Sequence, residues 1–406
     1  MRYCSTIALA TLLAGHCLAD EYRPGYLDAA DPIHVDYDDS LDYPYAVPTR
    51  FSVDGDVRGG YFDTRVDARD GSTDDNDVYR LRLRLGGNYS FSESWRLRGR
   101  LAAICSDDEC SPEFETSRTP SAGTTAADGD IVVDELYLAW DHAAWSAAVG
   151  RLQTRSLARG GVFATAMTRL TSPNVAVNWT DGAMLRYRAG NGWTTKLIAQ
   201  YNDEDGSSTL ARPPLDFEDD DSRLSGFWSL ERLRPGQALS QLGVDVVYQP
   251  GALLADGPAQ SSPEDYWNVI GRAAGELPLG RPGSALLWAG QLGYAPETQS
   301  ERVAGTGLTG DVDGWAWHVD ASWMNFLPRH SIGVSYGVTD PGWLMSVSFR
   351  PNEETFTLRY HWRPAPGAQL EIQGRWREER DQLLGSQRKR DTFDYRIRFT
   401  WAFDNA

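Results

Sequence analysis

The sequence predicts an all-β chain, a transmembrane antiparallel β-barrel of sixteen strands with short periplasmic turns and long extracellular loops. Three observations predict it. From residue 50 onward apolar and polar residues alternate, the links between alternating segments are long and short by turns, and tryptophan and tyrosine collect beside the short links.

The alternation is clearest in DVYRLRLRLGGNYSF. Tyr79, Leu81, Leu83, Leu85, Tyr89 and Phe91 fall on one face, and Arg80, Arg82, Arg84, Asn88 and Ser90 on the other. A helix would scatter those arginines around its circumference. A strand lines them up, because successive side chains point to opposite faces. The last segment repeats the pattern, with Phe393, Tyr395, Ile397, Phe399, Trp401 and Phe403 opposite Asp394, Arg396, Arg398 and Thr400. Sixteen such segments lie near 50–62, 78–91, 95–105, 131–140, 145–153, 179–188, 193–202, 223–232, 239–249, 265–277, 284–294, 314–324, 330–337, 355–362, 368–377 and 391–403.

The short links are 92–94, 141–144, 189–192, 233–238, 278–283, 325–329 and 363–367; the long ones include 106–130, 154–178, 203–222, 295–313 and 378–390. Sorting by parity is what a membrane barrel does, and an even strand count puts both chain ends on the short-turn side. A soluble β-sandwich has no reason to sort its loops this way. Phe91 and Trp95, Trp140 and Trp145, and Tyr187 and Trp193 flank successive short turns, with Trp323, Trp362 and Trp401 at other strand ends on that side. Amphipathic rings settle at headgroup level, where both phases satisfy them. The chain holds 15 Trp, 18 Tyr and 13 Phe, yet no apolar run after the first nineteen residues is long enough for a membrane helix. Alternate exposure to lipid reconciles the two facts.

Residues 1–19 read as a secretory signal: Arg2 supplies positive charge, Ile7 to Ala14 form a short apolar run, and Cys17-Leu18-Ala19 ends on small residues. His16 stands where a lipoprotein signal needs a small residue. An acidic periplasmic segment, 20–48, precedes the barrel at 49–406. Signal removal leaves Cys105 and Cys110. In an oxidising compartment they are expected to close a small disulfide loop, worth about 2 kcal/mol. The net charge of −18 argues against a nucleic-acid partner. The expected surroundings are outer-membrane lipid and lipopolysaccharide.

With the apolar face toward lipid, the other face lines a lumen. On the segments that become neighbours when the barrel closes, the inward basic set is Arg58, Arg80, Arg82, Arg84, Arg96, Arg98, Arg100, Arg359, Arg375, Arg377, Arg396 and Arg398. Against these twelve stand Asp54, Asp56, Glu371 and Asp394; on the remaining segments inward charges nearly balance. A basic arc in a bore with low-dielectric walls raises the local concentration of anions. Arginines on adjacent strands also repel one another unless water or ions screen them. The segment TRSLARGGVFATAMTRLTSPNVAVN (154–178) carries Arg155, Arg159 and Arg169, no acidic residue and an apolar middle. It suits a loop that turns inward and constricts the pore.

DELYLAW, a turn and AAVGRLQTR resemble the strand pair found before the constriction loop of bacterial porins. SPNVAVNWTDGAMLRYR and LPRHSIGVSYG are similar to outer-membrane barrels of the general-porin and alginate-export group. The resemblance implies a water-filled channel of the cell outer membrane for passive diffusion of small polar or anionic solutes, often assembled as a homotrimer. The alternative it implies is a channel for export or uptake of acidic oligo- or polysaccharides.

No catalytic set emerges. His318 and Ser322 share the inward face of one segment, but four residues along a strand is about 13 Å, beyond hydrogen-bond reach. The stretch DARDGSTDDND offers Asp74, Asp75 and Asp77, without the spacing of a calcium loop. The chain therefore reads as a non-enzyme without cofactor or metal.

Overall fold

A computed structural model describes residues 50–107, 110, 113–115, 130–153, 179–203, 222–234, 237–253, 264–281, 283–345 and 350–404. The signal, the acidic segment 20–48 and the candidates Arg155, Arg159 and Arg169 lie outside the described residues. The strands are β1 (Phe51–Asp67), β2 (Thr73–Ser90), β3 (Trp95–Ser106), the three-residue β4 (Glu113–Glu115), β5 (Asp130–His142), β6 (Trp145–Gln153), β7 (Trp179–Arg188), β8 (Trp193–Asp203) and β9 (Ser222–Leu233). They continue as β10 (Gln241–Leu253), β11 (Glu264–Pro278), β12 (Ala285–Tyr294), β13 (Trp315–Leu327), β14 (His330–Thr339), β15 (Glu353–Ala365), β16 (Ala368–Glu379) and β17 (Asp391–Asp404).

Apart from β4, each strand answers one predicted segment, and each pairs antiparallel with its chain neighbours. β1 also pairs with β17, from Asp54↔Asp404 to Asp67↔Asp391, which closes the sheet into a sixteen-stranded barrel and abolishes its edges. The period-two alternation orients every strand as predicted. Leu83 is 48% exposed on the outside, while the adjacent Arg82 and Arg84 are 5% and 0% exposed on the inside.

Aromatic pairs mark both rims of the apolar outer band. Trp95–Trp140 and Trp145–Tyr187 meet at ring distances of 6.5 and 4.5 Å beside the short turns. Tyr294–Trp315 and Trp376–Phe393 do so at the loop end, at 4.5 and 4.9 Å. The turn from β7 to β8 needs Gly192, at φ 79°, because a Cβ there would stand 2.2 Å from the Leu233 carbonyl oxygen.

Two features differ from the sequence reading. The acidic stretch 67–77 is mostly strand, not loop: β1 and β2 pair as far as Asp67↔Thr73, and the Ala68 N–H reaches the Ser72 carbonyl at 2.8 Å to close the turn. Beyond the membrane both faces of a hairpin meet water, so pairing continues without apolar alternation. The alternation then splits the carboxylates, Asp75 and Asp77 on one face and Asp74 on the other. The second feature is β4, which pairs parallel to β5 through Phe114↔Ile131, above the point where β5–β6 pairing stops at Leu136↔Arg151. The disulfide joins Cys105 at the end of β3 to Cys110, with Cα atoms 4.7 Å apart.

Candidate functional site: the barrel interior

The twelve predicted arginines all lie on β1–β3 and β15–β17, six strands made contiguous by the β1–β17 seam. Pairing places Arg58 directly opposite Arg82, and Asp56 opposite Arg84. The spacing that sets like charges side by side is relieved by carboxylates, several of them shared between two arginines. Glu371 forms an ion pair with Arg396 at 2.8 Å and accepts from Arg398 at 3.2 Å, and its Oε2 lies 2.9 Å from Nε2 of His361. Asp394 bridges Arg375 and Arg377, both at 2.9 Å. Arg82 donates to Asp56 at 2.7 Å, and Arg98 spans Asp54 and Glu135. Arg58 turns to the Thr400 hydroxyl at 3.1 Å, Arg359 to Gln373 at 3.0 Å, and Arg80 lies over the Phe62 ring at 5.8 Å.

Asp134 escaped the sequence reading. Strict alternation allows only one of Asp134 and Glu135 to face inward. A β-bulge in β5, where pairing steps from Arg100↔Glu135 to Leu101↔Val133, inserts one extra residue and turns both carboxylates inside, each 0% exposed. Arg84 then reaches Asp134 at 3.2 Å, and Arg100 contacts both carboxylates. Asp141, 3.5 Å from Arg96, completes the set. Among the described residues at least seven carboxylates, three more than the four read on these strands, stand among the twelve arginines, and the arc keeps a basic excess. At its outer end Arg390 joins Glu353 at 2.8 Å to Glu379 at 3.3 Å, a buried junction also missed because polar residues near a mouth carry no periodic signal.

The opposite wall is different. Pairing carries one row of inward side chains across six strands, Ala139, Ala148, Met184, Ile198, Phe227 and Val247. All are 4% exposed or less, and they cluster with Tyr137, Tyr266 and Ile270. Residues 340–345 leave β14 and turn inside the barrel as a strap. Gly342 N–H donates to the Asp313 carbonyl at 2.9 Å, and Leu344 N–H to the Tyr266 hydroxyl at 3.1 Å. Trp343 is 0% exposed and lies on the inner face of Gly293, where a Cβ would stand 2.3 Å from its ring. From β14 to β11 is three strand spacings, about 14 Å across the inner wall. The strap was legible as PGWLM, a turn followed by apolar residues where a water-exposed loop would be polar.

The chain matches no protein-family model and no curated sequence. Its fold does have solved counterparts. Pseudomonas putida OprB aligns with a TM-score of 0.55 over 87% of this chain and 93% of its own, at 11% identity. Pseudomonas aeruginosa OpdQ aligns at 0.52 over 88% and 100%, with 10% identity. A porin from Comamonas acidovorans described as anion-selective aligns at 0.50 over 87% and 100%, with 11% identity. The fold is that of an outer-membrane porin. A closed, even-stranded barrel with an apolar band between aromatic rims has its place in the cell outer membrane, and the porin fold assigns the inner face to the bore.

Proposed function

We propose that this porin-fold chain is a non-catalytic, water-filled channel through which small hydrophilic, preferentially anionic solutes diffuse across the outer membrane. One observation carries the reading: in the arc Glu371 and Asp394 each serve two arginines, so a net positive potential remains in a low-dielectric bore. The strap across the opposing wall favours short solutes over a linear acidic polysaccharide. The reading also assigns Arg155, Arg159 and Arg169 to the constriction. In support, the segment that bears them is apolar, and Leu152 on β6 and Met184 on β7 are buried inward near its attachments. A homotrimer, implied by resemblance alone, is checked by the native mass of detergent-purified protein.

The test is the reversal potential of single channels in a planar bilayer under a salt gradient. Anion preference is expected. Cation preference, or no open current from correctly folded protein, refutes the proposal.

A further inference from the structure

Away from the arc, the charge balance of the bore reverses. Below the outer rim of β9–β13, the described inward charges are Glu231, Asp245, Glu276 and Asp320, with Arg272 alone against them. Arg272 is committed to two of the four, Asp245 at 2.7 Å and Glu231 at 3.0 Å. Farther along this wall His318 and Asp320 stand two apart on β13, both facing inward, with Nδ1 of His318 3.2 Å from Oδ2 of Asp320. Gln291 on β12 is directly in register with His318, a separation of about 5 Å. It is 5% exposed, and neither its amide oxygen nor its nitrogen has a hydrogen-bond partner among the described residues.

We propose that His318, Asp320 and Gln291 form a binding site for one divalent transition-metal ion of the zinc class on the inner wall. Two ligand atoms on a tetrahedral zinc, each about 2.0–2.1 Å from the metal, are roughly 3.3 Å apart. The 3.2 Å between Nδ1 and Oδ2 meets that requirement without moving the backbone. The metal sits between these two atoms, giving Asp320 Oδ2, which accepts no hydrogen bond among the described residues, a partner, and the imidazole stays neutral with its proton on Nε2. The Gln291 amide oxygen is the third ligand, which gives this buried amide a partner, and water from the bore completes the shell. An imidazole nitrogen in the set selects zinc, nickel or copper over magnesium and calcium, which want oxygen ligands throughout. The surrounding acidic excess favours a cation. Two guanidiniums bear on the site: Arg272, in register with Gln291 but committed to Asp245 and Glu231, and Arg359, two strands away in the row of Ser322, which donates to Gln373. Three protein ligands open to a bore give an exchangeable site rather than a permanent structural one.

The experiment is titration of Zn2+ into detergent-purified, metal-stripped protein by calorimetry, with Mg2+ as comparison. One saturable zinc per chain is expected, with no response to Mg2+. His318→Asn and Asp320→Asn are each expected to weaken it by about tenfold or more, since even outer partners of a ligand are worth that much. Glu276→Gln, remote on the same wall, is expected to stay within about threefold, the weak effect of a distant screened charge. The heat-modifiable gel shift of the folded barrel shows that each variant is intact. No saturable zinc, or zinc binding unchanged in both His318→Asn and Asp320→Asn, overturns the proposal. The readout needs no channel activity, so failure of the diffusion reading is seen separately.

Discussion

On β1–β3 and β15–β17 the inward positions carry arginines, held apart by carboxylates borrowed from neighbouring strands. On β5–β10 one row of inward positions, from Ala139 to Val247, is apolar, and on β11 and β12 the strap 340–345 lies over the inner face. Both walls obey the same alternation, and their outer faces are alike because lipid asks the same of each. The inner faces differ because nothing in strand geometry dictates what a bore contains. The charged wall suits moving solute, whereas the apolar wall needs protein against it to be stable in contact with water.

That contrast can be broken most severely at Trp343. Trp343→Ala removes the anchor above Gly293; a buried Trp→Ala change costs about 3–5 kcal/mol, and the freed strap is expected to raise single-channel conductance. Unchanged conductance with a lowered melting temperature would make the strap a packing element only. On the charged wall, Glu371→Gln strands Arg396, Arg398 and His361 without their common carboxylate. The expected loss is about 3 kcal/mol, at the low end for a broken buried pair because bore water screens it. Its signature is a reversal potential shifted further toward anions. Arg58→Gln with Arg359→Gln removes two guanidiniums of the arc, which donate to the Thr400 hydroxyl and the Gln373 amide oxygen. The double variant is expected to lower anion preference while costing about 1 kcal/mol per hydrogen bond; unaltered selectivity would make the arc mere lining.

The smallest effect lies outside the membrane. Hydrogen bonds from the Ser72 hydroxyl and N–H hold the exposed Asp70 carboxyl below its usual range. A lowered folded pKa stabilises the 68–72 turn above the unfolded carboxylate value, and that contribution is lost as pH falls through the folded one. The protection factor of amide exchange in the turn, corrected for the intrinsic pH dependence of exchange, is expected to fall on acidification, and Asp70→Asn to remove that dependence.

Much of this molecule is written in its linear order. Leu83 beside Arg82 and Arg84 tells outside from inside, and the parity of link lengths tells one membrane side from the other, because lipid acts on every strand at period two. The twelve arginines could be assigned to one wall once the first and last strands were taken as neighbours. Their partners could not. Asp134 faces inward only because a bulge in β5 interrupts the period, and a bulge is decided by pairing with Arg100 and Leu101 across the sheet. Residues 340–345 enter the barrel because Gly293 leaves room for a Trp343 ring fifty residues along the chain, and Tyr266 supplies a hydroxyl from still farther away. Lipid contact is a local demand repeated at every second residue, so the sequence alone determined the wall. The contents of the bore depend on which distant side chains meet there, and closure of the barrel decided that.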